Sequence, residues 1–121
     1  MTALTEALSI VNQAYLLNRR TPLLYRSGVR YELPSLNANG TQTWRDVLNV
    51  MRRKKASCHE LTAWLLAERR LFGSGHNVHA NCTGKFVNGR LVFHLNVIDD
   101  AGNIEDPSAI LGMGSNPWAS F

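Results

Sequence analysis

The chain has 121 residues, of which 45% are hydrophobic, and it carries a formal net charge of +4. This length predicts a single domain spanning residues 1–121, with one modest core and no room for a second catalytic domain. The basic residues are scattered apart from short clusters at 19–20, 52–55 and 69–70, which are typical of a solvated surface, so a nucleic-acid partner is not expected.

The first predicted element is an amphipathic helix over about residues 1–18. Its buried face is expected to contain Leu4, Leu8, Val11 and Tyr15, which recur at helical spacing. The segment lacks the basic start and unbroken apolar stretch of a signal peptide, and no apolar run reaches membrane-spanning length, so no membrane partner is expected. A chain without a leader is expected to work in a reducing compartment, where Cys58 and Cys82 stay free thiols.

The segment after this helix is predicted to be extended. Thr21-Pro22 stops the helix, and residues 23–33 read as extended chain interrupted by Ser27-Gly28. A loop at 37–40 precedes a second helix, for which Thr43 is the expected cap. The buried face of this second helix is expected to contain Trp44, Val47, Leu48 and Met51.

The third helix has the best-marked start in the sequence. Ser57 and Glu60 fit a capping box, which makes Cys58 the first helical residue. The predicted buried stripe consists of Leu61, Trp64, Leu65 and Phe72. Gly73 is placed to end the helix, and after it the pattern changes from helical spacing to the alternation of strands.

A β-hairpin is predicted next. Asn88-Gly89 between two alternating segments indicates a two-residue turn, with Val87 paired to Arg90. In that register one face is apolar throughout and contains Val78, Ala80, Cys82, Phe86, Leu91, Phe93, Leu95 and Val97. The opposite face is polar and contains His79, Asn81, Thr83, Lys85, Val92, His94 and Asn96.

A second turn follows at residues 100–102, as a three-residue hairpin loop with Gly102 in the left-handed conformation. This register puts Asp106 opposite Asn96 and diagonal to His94, at a separation that side chains can bridge. The tail from about residue 112 is expected to be irregular, with Trp118 and Phe121 as its docking residues.

Three residues in this arrangement suit nucleophilic catalysis. The helix dipole favours a thiolate at Cys58, the form that acts as nucleophile. His94 is expected to act as general base and then acid, with Asp106 fixing its tautomer. An oxyanion hole would use the Cys58 backbone N–H and a second donor, for which Trp44, Gln42 and Asn39 remain open candidates.

Each of these residues also has a plainer interpretation. Cys58 could be a small core residue, His94 a half-exposed strand residue, and Asp106 a turn or cap residue before Pro107. Cys82 lies on the apolar face and is interpreted as a buried structural thiol.

The other histidines give weaker candidates. His59 is expected to point elsewhere around the helix, and His79 to flank the cleft. The spacing His76-x-x-His79-x-x-Cys82 contains zinc ligands, but strand residues three apart face opposite sides. We therefore expect neither a metal nor another cofactor.

Three segments resemble the transglutaminase-like family of papain-related cysteine enzymes, in which a Cys at a helix start, a His on a strand and an Asp-Pro pair follow in this order. They are Ser57-Cys58-His59-Glu60-Leu61-Thr62-Ala63-Trp64, Phe93-His94-Leu95-Asn96-Val97 and Ile104-Glu105-Asp106-Pro107-Ser108. A group of small phage-encoded proteins with a transglutaminase-like core is more similar still, since it shares the pattern of residues 22–31 and of 105–113. The resemblance covers most of residues 20–114.

The resemblance implies an α+β, cysteine-proteinase-like core, with N-terminal helices followed by a small antiparallel sheet packed on the helix that carries Cys58. It implies transfer or hydrolysis of an amide or isopeptide bond in a peptide or protein substrate, through a Cys58, His94 and Asp106 triad. The location implied is the host cytoplasm or the phage virion. The chain departs from the family in having Ala56-Ser57 before the cysteine, where Gly-Asp is usual.

The sequence is also compatible with a second function. The same fold could serve as a structural or adaptor protein of a phage particle, bound to other phage proteins through the N-terminal helix and the tail at 118–121. Exposed apolar residues on that helix would favour this alternative.

Overall fold

The computed structural model describes residues 1–18, 21–33, 43–73 and 77–118. Within these ranges the α-helices are α1 (Thr2–Asn18), α2 (Val47–Arg53) and α3 (Cys58–Phe72). The strands are β1 (Arg30–Tyr31), β2 (Lys55–Ala56), β3 (Val78–Val87), β4 (Arg90–Asp99) and β5 (Ile104–Glu105), and helical turns lie at Leu24–Arg26 and Ala109–Met113. The described helices include none that is both long and apolar enough to cross a bilayer.

The fold is mixed α+β, with helices followed by a small antiparallel sheet, as predicted. The sheet has the order β3-β4-β5. The β3–β4 register pairs Val87 with Arg90 around a turn in which Asn88 and Gly89 have φ of 53° and 76°, which confirms the predicted two-residue turn. The β4–β5 loop contains Gly102 at φ 85°, which confirms the predicted left-handed position.

The helix α3 is the centre of the core. It packs against α1 and against β3 and β4, and residues 58–68 are all buried. Glu68 lies in this apolar surrounding because it has partners: it accepts hydrogen bonds from Trp64 Nε1 at 2.9 Å and from the Leu24 backbone N–H. Burial raises the pKa of Glu68, and these two donors oppose that effect.

A two-stranded parallel sheet brings β1 beside the start of α3. Tyr31 pairs with Ala56, and the Glu32 backbone N–H donates to the Ala56 carbonyl oxygen at 2.8 Å. Most of the segment at 23–33 is not a strand, because the turn Leu24–Arg26 buries Leu24 against the core. The predicted extended segment is therefore correct only at β1.

The bounds of α1 match the prediction, but its buried face does so only in part: Leu8 and Tyr15 are partly buried, and Tyr15 packs against the core. Leu4 and Val11 are 57% and 46% exposed, whereas the buried positions are mostly polar. They are Thr5, Ser9, Asn12 and Leu16. Hydrogen bonds explain this: Asn12 Oδ1 accepts from the Val47 N–H at 2.9 Å, so α1 also docks through polar contacts that helical periodicity cannot reveal.

Two further details of the helices differ from the prediction. The cap of α2 is Asp46, whose Oδ1 accepts from the Asn49 N–H at 3.0 Å, so Thr43 and Trp44 precede the helix. In α3, Leu61, Trp64 and Leu65 are fully buried as predicted, whereas Phe72 is 60% exposed. Phe72 lies in the last turn, beyond the part of α3 that the sheet and α1 cover.

Gly73 follows α3 for a steric reason rather than for a left-handed backbone. Its φ is −75°, and a Cβ atom there would lie 2.2 Å from the Arg69 carbonyl oxygen. The Gly73 N–H donates to that same oxygen at 2.8 Å. The close approach of the chain to the last turn therefore requires glycine.

Candidate active site

The start of α3 holds Cys58 as its first residue, which confirms the predicted capping box. The Glu60 carboxylate accepts from the Ser57 backbone N–H at 3.1 Å and from Ser57 Oγ at 3.0 Å. Glu60 also accepts from the Arg45 backbone N–H at 2.7 Å, which ties the segment before α2 to this end of α3. The sulfur of Cys58 is consequently fixed at the positive end of the helix dipole.

His94 and Asp106 meet across the neighbouring strands. His94 Nε2 lies 2.7 Å from Asp106 Oδ2, and the His94 residue is only 4% exposed. Asp106 is itself held, because its Oδ1 accepts from the Ser108 and Ala109 backbone N–H groups at 3.1 and 3.3 Å. The pairing of Val97 with Glu105 puts Asp106 next in register, as the three-residue loop predicted.

Cys58 lies against the open edge of β4. In the described residues β5 pairs with β4 only at Val97 and Ile98, so the Leu95 backbone N–H is free to donate to the Cys58 sulfur. Burial would raise the pKa of the thiol, but hydrogen bonds with His59, His94 and Leu95 outweigh it and lower the pKa of Cys58 from 9.0 to about 7. The thiolate is thereby accessible near neutral pH.

The pKa of His94 moves in the opposite direction. Burial would lower it, but the hydrogen bond with Asp106 and the interaction with Cys58 raise the pKa of His94 from 6.5 to about 9. Because Nε2 faces Asp106, Nδ1 is the ring nitrogen left for the sulfur. Between about pH 7 and 9 the favoured state is therefore a thiolate beside an imidazolium.

His59 contacts the same sulfur, and the prediction that it points away is wrong. Its imidazole interacts with the Cys58 thiol, and its ring packs on Trp44 with centroids 4.3 Å apart. His59 is fully buried. His59 directly follows the nucleophile in the first helical turn, but its ring is held there by contacts with the Thr43 carbonyl oxygen and with Trp44, which no local pattern in the sequence signals.

Two aromatic residues lie around this cluster. The pKa of Tyr31 is raised to about 12, first by burial and then by the charges of Cys58 and Asp106, so β1 borders the site. The Trp118 ring meets the His94 ring edge-on at 6.2 Å between centroids, and Lys85 Nζ lies 5.9 Å from the same Trp118 ring. The tail thus docks through Trp118 on the polar face of the hairpin.

The remaining candidates stand apart from the cluster. His79 is exposed and faces Asp100 at 3.5 Å, while Cys82 is partly buried with its pKa raised by burial. His79 and Cys82 pair with different β4 residues three positions apart, and no group of three or more potential metal ligands occurs among the described residues. His76, the oxyanion candidates Gln42 and Asn39, and Phe121 lie outside the described residues.

The structure therefore brings Cys58, His94 and Asp106 together, with His59 as a fourth member. A low-pKa sulfur next to a protonated imidazole can add to a carbonyl carbon and then protonate a leaving group. No family model, curated protein or solved structure matches this chain. The geometry of these side chains is therefore the basis on which a function can be assigned.

Proposed function

We propose that this protein is a cysteine-dependent acyltransferase or amide hydrolase that forms a thioester at Cys58. One observation carries the proposal: a continuous chain of contacts runs from the Cys58 sulfur to the His94 ring and on to the Asp106 carboxylate. This is the set of groups that nucleophilic acyl transfer requires. Its order along the chain, helix start then strand then next strand, supports a transglutaminase-like core.

The proposed reaction has two halves. In the first, the Cys58 thiolate adds to the carbonyl carbon of an amide, and the C–N bond breaks as the His94 imidazolium gives its proton to the leaving amine. In the second, water or another amine attacks the thioester and passes its proton to neutral His94, and the bond from sulfur to carbonyl carbon breaks. Asp106 holds the His94 ring in place through both halves.

The substrate class proposed is an amide or isopeptide bond of a peptide or protein, and the phage-related setting comes from the resemblance alone. The Cys58 residue is only 4% exposed, so the chemistry requires a narrow acyl group to reach the sulfur. An unbranched side-chain or terminal amide meets this requirement better than a bond in the middle of a folded chain.

The proposal is tested with p-nitrophenyl acetate as acyl donor and mass spectrometry of the intact protein in a Cys82→Ser background. We expect one acetyl group on Cys58, formed at a rate that rises with pH through about 7 as the thiolate forms. Cys58→Ala should abolish the label, and His94→Gln should slow its formation at least roughly tenfold, within the usual contribution of a general acid–base group. Equal rates in the wild type and His94→Gln would refute the proposal.

One observation favours the alternative of a structural or adaptor protein. The outer face of α1 carries large apolar residues that are exposed to solvent by 46% to 66%. They are Leu4, Ile10, Val11 and Leu17. Such a face is a feature of surfaces that bind other proteins. Failure of Cys58 to acquire the acetyl group would leave this role, with a phage structural protein as the partner, as the better proposal.

A further inference from the structure

Three exposed basic residues lie together on the strands that precede α3. Arg30 on β1 is in register with Lys55 on β2, and the Arg30 backbone N–H donates to the Lys54 carbonyl oxygen at 3.0 Å. We call Arg30, Lys54 and Lys55 the basic surface. All three are exposed, and none takes part in an ion pair with any residue that the structure describes. Lys54 Nζ donates to a neutral partner, the Ser27 carbonyl oxygen, at 3.0 Å.

The carboxylate on this side of the molecule, Glu32, already has other partners. Its two oxygens accept from the Arg53 guanidinium at 2.7 and 3.0 Å, and Arg45 lies 3.8 Å away. The hydrogen bond with Arg53 is the main cause of the lowered pKa of Glu32, and the charge of Lys55 contributes less than those of Arg53 and Arg45. The basic surface is therefore left with an excess of positive charge.

The stability of the fold does not explain this arrangement. Like charges directly opposite each other on paired strands repel, and Arg30 is opposite Lys55. Lys54 has φ 62°, a left-handed backbone for which glycine or asparagine is usual after a helix. The dipole of α2 favours basic residues at its end, but Arg30 lies on another segment. Local choices that oppose stability in this way are a feature of functional sites.

The basic surface borders the candidate active site. The Arg30 guanidinium lies against the helical turn Ala109–Met113, which follows Asp106. A Cβ atom at Gly112, where φ is 129°, would lie only 3.0 Å from Arg30 Nη2. Lys55 precedes Cys58 by three residues, so their Cα atoms are separated by at most about 11 Å. Arg30 and Lys55 thus lie beside the strands and turn that hold the site.

We propose that the basic surface binds an acidic segment of the peptide or protein whose amide enters the site, with carboxylates on Arg30 and Lys55. That this segment belongs to the substrate rests on the proposed function, whereas the affinity of the surface for an acidic chain does not. The Arg30 guanidinium can hold a carboxylate through two parallel hydrogen bonds, and the Lys55 ammonium adds a second positive charge. An extended chain covers about 11 Å in roughly three residues, which sets the spacing between the amide and the acidic segment.

An acidic peptide suits this surface better than a nucleic acid does. Surfaces that bind single strands combine a long basic groove with exposed aromatic rings on which bases stack. The basic surface consists of only three residues, and the neighbouring aromatic ring, Tyr31, packs against the core. Carboxylates on a short peptide segment therefore match both the charge and the extent of this surface.

The first test measures the binding of a short fluorescein-labelled oligoglutamate peptide to the Cys58→Ala protein by fluorescence anisotropy. An oligoglutamine of equal length and an oligothymidylate of equal charge are the comparison probes. We expect oligoglutamate to bind, oligoglutamine not to bind, and the affinity to fall between about 20 and 200 mM NaCl, because salt screens exposed charges. Tighter binding of oligothymidylate than of oligoglutamate would overturn the choice of an acidic peptide as partner.

Substitutions then locate the binding. Arg30→Gln/Lys55→Gln should weaken oligoglutamate binding at least roughly fivefold, as expected for two exposed charge pairs. Arg30→Lys/Lys55→Arg keeps both charges and should bind like the wild type, which separates the effect of charge from that of packing. The control Lys85→Gln/Arg90→Gln removes the same charge from exposed positions near the β3–β4 turn. Equal weakening in this control would show that only net charge matters and would overturn the proposal.

The second test asks whether the basic surface acts at Cys58. In a Cys82→Ser background, the alkylation rate with anionic iodoacetate is divided by the rate with neutral iodoacetamide, so that changes in the thiolate fraction cancel. We expect this ratio to fall roughly twofold in Arg30→Gln/Lys55→Gln, because positive charge about 10 Å away attracts the anion, and to stay unchanged in Arg90→Gln. An unchanged ratio in Arg30→Gln/Lys55→Gln would overturn the placement of the surface beside the site.

The outcomes separate this inference from the proposed function. Oligoglutamate binding that depends on Arg30 and Lys55, without acetyl transfer to Cys58, would refute the enzyme proposal and support the basic surface as a binding site. Acetyl transfer to Cys58 without oligoglutamate binding would refute the role of the basic surface and support the enzyme proposal.

Discussion

At the scale of single residues, one carboxylate controls the state of His94. Asp106 accepts from His94 Nε2 through one oxygen, while its other oxygen is fixed by two backbone N–H groups of the following turn. Because the pKa of His94 is raised above 6.5, the interaction stabilises the fold fully below pH 6.5 and ceases to do so as pH rises through about 9.

Asp106→Asn is predicted to remove most of this effect. An amide nitrogen in place of Oδ2 would present a donor to His94 Nε2, so the protonated ring would lose its partner. We expect the pKa of His94 to fall from about 9 toward 6.5 in an NMR titration of its ring protons, with acetylation of Cys58 slowed. Asp100→Asn, an exposed carboxylate in the β4–β5 loop, is the control, and an unchanged His94 titration in Asp106→Asn would contradict the prediction.

At the scale of elements, the start of α3 serves both stability and chemistry. Ser57 caps the helix, contacts His59 and precedes the nucleophile, so one side chain fixes the backbone and the ring together. The start of α2 has a similar cap, Asp46, whose side chain accepts from the Asn49 backbone N–H within its own turn. Substitutions of the two caps can therefore separate a change in helix stability from a change in the reactivity of the Cys58 sulfur.

Ser57→Ala is predicted to lower the free energy of unfolding by about 1 kcal/mol, the usual contribution of an N-cap, and to slow alkylation of Cys58. Asp46→Ala should lower the free energy of unfolding by a similar amount and leave the alkylation rate of Cys58 at its wild-type value. Denaturant unfolding and timed iodoacetamide labelling measure the two effects. Equal alkylation rates in Ser57→Ala and Asp46→Ala would show that the cap acts on stability alone.

At the scale of the whole molecule, one network joins segments that are distant in sequence. Glu105, on β5, accepts two hydrogen bonds from the Arg69 guanidinium on α3, at 2.9 and 2.7 Å, and one from Tyr25 Oη at 2.9 Å. The Arg69 contact is the main cause that holds the pKa of Glu105 below 4.5. Because Asp106 follows Glu105, the network also fixes the strand that leads into Asp106.

Glu105→Gln is predicted to lower the free energy of unfolding by about 1 kcal/mol at pH 7, a modest value because the pair is partly exposed. A lowered carboxyl pKa gives stability that is present above 4.5 and is lost as pH falls through the folded-state value. The difference in free energy of unfolding between the wild type and Glu105→Gln should therefore shrink between pH 5 and 3 in denaturant titrations. The control Asp100→Asn should have the wild-type free energy of unfolding throughout this range. If the difference in free energy of unfolding grew toward pH 3, the predicted link between the lowered pKa of Glu105 and stability would be contradicted.

The sequence by itself determined the features that neighbouring residues decide. Asn88-Gly89 and Gly102 set both hairpin registers, and these registers bring Asp106 to His94. The Ser57 and Glu60 spacing placed Cys58 at the start of α3. In each case the cause lies within a few residues, because turn geometry and helix caps depend on local backbone angles and on side chains one turn away.

The tertiary structure alone decided the features that depend on residues far apart in the chain. The buried face of α1 is polar because Asn12 accepts a hydrogen bond at the start of α2. The His59 ring is held in the site because Nε2 contacts the Thr43 carbonyl oxygen and the ring packs on Trp44. Such contacts follow no sequence period. They arise when buried polar groups find partners on other segments, since an unpaired polar group in the interior would cost more than the packing gains.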